Sequence, residues 1–77
     1  MNKPEFDYGK LRGRIVEKFG SQKNFSSKIH ISAGTLSQKL TGLKCFTQVE
    51  IFRIASALDI ENADISSYFF ALKVKKS

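Results

Sequence analysis

Apolar residues three and four apart, in short runs that are each cut off by a turn residue, constrain this chain more than any other feature. Leu11, Ile15, Val16 and Phe19 form the first run, with Asp7 before it as an N-cap and Gly20 after it as a stop. Ser21 then caps a second helix whose inner side is Phe25 and Ile29 and whose outer side is Gln22, Lys23, Ser27 and Lys28. After His30 and Ile31, Ser32 caps a third, which carries Leu36 and Leu40 inward and ends at Gly42. Helices this short are marginal alone, so their apolar sides must close on one another.

The second half continues the pattern. Thr47 and Glu50 make a capping box, in which the hydroxyl accepts from the Glu50 amide and the carboxylate accepts from the Thr47 amide. The helix it starts has the stripe Ile51, Ile54, Ala55 and Leu58, with Phe52 expected to cover a core edge. Asp59 to Asn62 connect to a last helix bearing Ile65, Tyr68 and Phe69. No Asn-Gly or Asp-Gly hairpin signal occurs, yet Tyr68 to Val74 is apolar enough to be a strand instead, whose open edge would pair with that of a second chain. The 77 residues suffice for one domain, with a core over 7–70 and a tail over 71–77. The expected class is all-α, five helices.

Charge divides the chain more sharply than its net +6 suggests. Residues 21–46 hold four basic side chains and no carboxylate, whereas residues 47–70 hold one basic and four acidic. A two-faced molecule follows, with a positive side suited to a polyanion. No apolar run approaches the roughly 18 to 20 residues of a membrane span, and Met1 to Phe6 lack a signal peptide's apolar stretch, so a cytoplasmic place is expected. The single Cys45 agrees with that compartment and has neither a base nor a second cysteine near it in sequence. His30, the only histidine, has no histidine partner for metal or serine chemistry. Neither enzymatic activity nor a cofactor or metal is expected.

Gln22 to Gly42 is the informative segment: two short helices, a tight turn, and the basic stretch centred on them. It resembles the phage repressor and Cro-like helix-turn-helix family through Gln22-Lys23-Asn24-Phe25-Ser26, Ile31-Ser32 and Thr35-Leu36-Ser37-Gln38-Lys39-Leu40-Thr41-Gly42, aligned without a gap. Ile54 to Ile60 is similar to that family's fourth helix and exit, so the resemblance spans roughly residues 10 to 66. The opening Phe6 to Ile15 and the Tyr68-Phe69-Phe70 ending look like a subgroup of small phage-encoded proteins. The resemblance implies a five-helix, lambda-repressor-like DNA-binding fold, with Gln22 opening the second helix and Ser26 as the small residue where the two helices approach. One position departs from it: His30 stands where the family usually has glycine, in a turn that needs positive φ, which histidine tolerates better than most residues.

The role implied is a transcriptional regulator that lays its third helix in the major groove of an operator in double-stranded DNA. Ser32 and its helix-terminal amides suit a phosphate oxygen. Ala33 and Gly34, at the family's base-reading places, offer a thymine methyl contact and a close backbone approach. Gln38 can pair bidentately with adenine, Thr35 and Ser37 can meet phosphates or bases, and Gln22, Lys39 and Lys44 are candidate phosphate contacts. A single such helix discriminates too weakly, so a homodimer reading half-sites about 34 Å apart is expected, joined through Tyr68 to Val74, on the nucleoid of a bacterial host. The tail lysines Lys73, Lys75 and Lys76 are either further phosphate contacts or solubilising charges. The rival is an antirepressor that binds another phage repressor protein, motivated by the smooth Ala33-Gly34 surface. An RNA-binding module ranks third, because the basic stretch holds only Phe25 and Phe46 to stack bases.

Overall fold

The computed structural model describes residues 5–73, and among them the chain is all-α. Five α-helices run in order: α1 (Gly9–Phe19), α2 (Gln22–Ile29), α3 (Ala33–Leu40), α4 (Gln48–Ala57) and α5 (Ile65–Phe69), the last preceded by a 3-10 turn over Asn62–Asp64. Their ends follow the local chemistry of the sequence. Ser21 Oγ accepts from the Asn24 amide, and Ser32 Oγ accepts from the Thr35 amide. Both arms of the Thr47–Glu50 capping box are made. Gly20 (φ 84°) and Gly42 (φ 90°) take the left-handed backbone that stops α1 and the exit of α3. His30 does the same after α2, at φ 60° and ψ 37°.

At the start of α1 the cap differs slightly from expectation. Tyr8 occupies the N-cap place, but Asp7 Oδ1 accepts from the Gly9 amide at 2.8 Å, so the aspartate supplies the acceptor from one residue earlier.

The apolar residues of the helical stripes form one core, except Val16 of the first run, which is 52% exposed. Leu11, Ile15, Phe25, Leu36, Ile54 and Leu58 are wholly buried, with Ile29, Leu40, Ala55 and Phe69 nearly so. Helix α1 packs on α2 and α5, and α2 packs on α3 and α4, which makes α2 the central element. Ser26 is buried where α2 meets its neighbours, its hydroxyl donating to the Lys23 carbonyl at 2.8 Å, so its small size and local bond spare the core an unpaired polar group.

Two expectations are corrected. Phe52 does not cover a core edge: it is 68% exposed, because the Ile51, Ile54, Ala55 and Leu58 stripe fills the inner side of α4 and leaves Phe52 on the outer one. The stretch from Tyr68 begins as helix, and beyond Phe70 it pairs with this chain's own lead-in. Asp7 donates to the Ala71 carbonyl at 2.6 Å and Lys73 to the Glu5 carbonyl at 2.9 Å, around a single antiparallel bridge between Phe6 and Leu72. The pairing is intramolecular because Phe6 packs edge-on to Phe70 and tilted to Tyr8, anchoring both segments to an aromatic cluster that continues through Phe46 to Phe69. Val74 of the expected strand, and the tail lysines Lys75 and Lys76, lie outside the described residues.

Candidate functional site

The outer side of α3 is open. Ser32, Ala33, Gly34, Ser37 and Gln38 are exposed, Thr35 is half-buried, and Leu36 and Leu40 point into the core. Ser32 Oγ donates to Thr35 Oγ1 at 2.8 Å while accepting from the Thr35 amide, so both hydroxyls are engaged locally at the helix start. A methyl group added at Gly34 would meet no atom within 4 Å beyond its chain neighbours and its own helix backbone. Nothing inside the fold therefore requires glycine there, although glycine in a helix costs about 0.5–1 kcal/mol relative to alanine.

Charge on this helix is spent internally. Lys39, read from sequence as a phosphate contact, is 7% exposed and its ammonium donates to Glu50 Oε1 on α4. It is not on the outer side, and its charge is already matched. Burial pushes the Glu50 carboxyl up, but hydrogen bonds from Lys39 and from Thr47, together with the Lys39 charge, outweigh burial and hold it below its ordinary value. Gln22 is half-buried at the start of α2, whereas Lys44 is exposed in the connection between α3 and α4.

The arginines were not anticipated as structural. Arg12 donates to the Leu40 carbonyl at 2.9 Å, Arg14 to the Leu58 carbonyl at 3.0 Å, and Arg53 to the Ile29 carbonyl. Each thus satisfies a carbonyl at the end of α3, α4 or α2 that has no acceptor role left inside its own helix. These are the only three arginines of the chain. Arginine makes the commonest specific contact to guanine, and none is on α3. Lysine arrangement on the neighbouring surface is different: Lys23, Lys28 and Lys44 are exposed, and none of them forms an ion pair among the described residues.

The outer side of α3 is therefore small and neutral, with the exposed Lys44 in the connection that follows it, its amide donating to the Gln38 carbonyl. Residues 5–72 match the family described as protein of unknown function (DUF739). The chain belongs to that family. It is also similar to the modulator of repression (MOR) of the temperate bacteriophage TP901-1 from Lactococcus lactis, at 37% identity. That protein's solution structure superposes with a TM-score of 0.78, over 92% of this chain and 96% of that one. No curated protein sequence matches the chain. No helix among the described residues is long and apolar enough to cross a membrane.

Within this family, the residues singled out from sequence separate into two groups. Ser32, Ala33, Gly34, Ser37 and Gln38 lie on one exposed side, with Thr35 partly withdrawn; Lys39 faces inward. The signal that would have exposed the difference is Glu50: it is the only carboxylate between residues 18 and 58, and it belongs to a capping box that faces the end of α3.

Proposed function

We propose that this chain is a modulator of phage repression that acts by binding a repressor protein, and that its outer α3 side contacts protein. The observation that carries this reading is the inward commitment of Lys39 to Glu50, which leaves α3 an outer side of small neutral residues. A helix that reads a major groove presents bidentate donors to base edges and cations to phosphates. This one offers Gln38 as its longest outward side chain, beside Ala33 and Gly34. Small residues let a partner's backbone or helix come close, and the unexplained glycine at 34 fits that use. Similarity to a modulator of repression favours the same reading. It is a binding role without catalysis, exercised in the cytoplasm of a bacterial host, with residues 1–77 acting as one unit.

The second reading, direct operator binding by a homodimer, is favoured by one observation: Lys23, Lys28 and Lys44 stand in a stretch without a carboxylate. The two readings separate in one experiment. The chain is titrated into a phage repressor protein, and in parallel into duplexes selected from a random pool. Repressor binding with no duplex enriched supports the proposal. A palindromic consensus bound with steep salt dependence, without repressor binding, overturns it.

A further inference from the structure

Between the lead-in, the start of α1 and the end of α3 lies an open cleft of about 300 Å³, at the lower limit for a small-ligand site. Its walls differ in chemistry. Phe6, Tyr8 and Leu40 supply apolar surface, and Asp7, Arg12 and Lys73 supply charge. The aspartate is already committed, because Asp7 Oδ1 accepts from the Gly9 amide at 2.8 Å. The cations are not. Arg12 spends one nitrogen, Nη2, on the Leu40 carbonyl at 2.9 Å, and no other of its N–H groups has a partner among the described residues. Arg14, by contrast, uses Nε on the Leu58 carbonyl and Nη1 on Glu17. Neither Arg12 nor Lys73 belongs to an ion pair among the described residues.

We infer that this cleft binds a carboxylate carried on a small apolar body, with Arg12 as the principal contact. The site is separate from the outer α3 side and does not depend on the repressor-binding reading. A guanidinium presents its donors as a planar fork that matches a carboxylate. The bond to the Leu40 carbonyl holds that fork in place before a ligand arrives, so less freedom is lost on binding. Lys73 adds a second positive charge that demands no particular geometry. The rings of Phe6 and Tyr8 are half-buried and fixed by their own packing, Phe6 on Phe70 and Tyr8 on Phe46. They form a preformed wall against which an apolar body sheds water. A bare inorganic anion would leave that wall wet, and a cationic ligand would meet two like charges. The carboxylate has two sources, a free organic acid or an acidic side chain beside an apolar one on a partner protein.

The test follows the backbone amides of the full chain by heteronuclear NMR as sodium benzoate is added, with acetate and inorganic phosphate as comparisons. Benzoate is expected to shift Gly9, Arg12, Thr41 and Lys73, which border the cleft, and to bind more tightly than either comparison anion. Arg12→Gln weakens benzoate binding at least about tenfold. Lys73→Gln weakens it about threefold without a change in melting temperature, since that side chain is exposed. Because Arg12 also closes the end of α3, Lys73→Gln carries the test if Arg12→Gln does not fold. If benzoate moves none of these amides, or binds both variants as it binds the natural chain, the site is overturned. If phosphate binds as tightly as benzoate, the ligand class is overturned. A parallel titration with a phage repressor protein separates the two sources. Benzoate that displaces the repressor identifies an acidic side chain of that partner, and benzoate that binds beside it identifies a free acid. A chain that binds benzoate and no repressor keeps this site and removes the repressor-binding reading.

Discussion

Lys39 on α3 and Glu50 on α4 form an ion pair in which the side chains are only 9% and 17% exposed, and the same Glu50 oxygen also accepts from the Thr47 amide at 2.8 Å. One carboxylate thereby caps its own helix and neutralises the lysine of its neighbour. Glu50→Gln keeps the shape but leaves Lys39 buried without its counter-charge, and is expected to destabilise the fold by about 2–4 kcal/mol in urea unfolding. Adding Lys39→Met to Glu50→Gln should recover part of the loss, because the uncompensated charge is then gone. Equal losses for the single and double variants would show that the cap alone matters.

The pair also sets an acid limit. Glu50 has a folded-state pKa below its ordinary 4.5, so the folded state holds its proton less readily than the unfolded chain does. The associated stability is present above about pH 5 and declines as pH falls through 4.5 toward the folded-state pKa. Asp59, lowered by its hydrogen bond from Lys18 and by that lysine's charge, acts in the same direction at the surface. Thermal melts from pH 6 to pH 3 should fall less steeply for Glu50→Gln than for the natural chain.

His30 closes α2 with left-handed backbone at φ 60°. A glycine there avoids the Cβ conflict, so His30→Gly is expected to be neutral or to stabilise by up to about 1 kcal/mol. His30→Val, β-branched at the same φ, should cost about 1–2 kcal/mol. The order Gly, His, Val in melting temperature is the check.

Gly34 separates stability from recognition. Gly34→Ala has room for its methyl and is expected to raise stability by about 0.5–1 kcal/mol. Gly34→Gln, equally free of internal clash, should melt near the natural chain yet bind repressor less tightly, since it fills the space a partner would occupy. A bulky residue at 34 that leaves repressor affinity untouched would remove the outer α3 side from the interface.

Much of the fold was legible locally. Ser21, Ser32 and the Thr47–Glu50 box announce helix starts, and Gly20, His30 and Gly42 announce stops, because each acts on amides or carbonyls within a few residues. The core residues were legible from the same periodicity. What stayed hidden depends on distant partners: Lys39 with Glu50 across 11 residues, Arg53 with Ile29 across 24, Arg12 with Leu40 across 28 and Arg14 with Leu58 across 44. The bridge from Phe6 to Leu72 spans nearly the whole described chain. The candidate site suffered from the same blindness. Its outline on α3 was readable, but a lysine in a basic stretch looks like a phosphate contact until the carboxylate that claims it is found.

The three arginine contacts bind the helices into a mutual dependence. Residues of α1 close the ends of α3 and α4, and a residue of α4 closes the end of α2. No helix among α2, α3 and α4 can fray at its last turn without releasing a guanidinium rooted in another element. Opening should then be shared rather than local, with the amide protons of these three helices exchanging at one common free energy close to that of global unfolding. A peptide copied from α3 alone would inherit none of this.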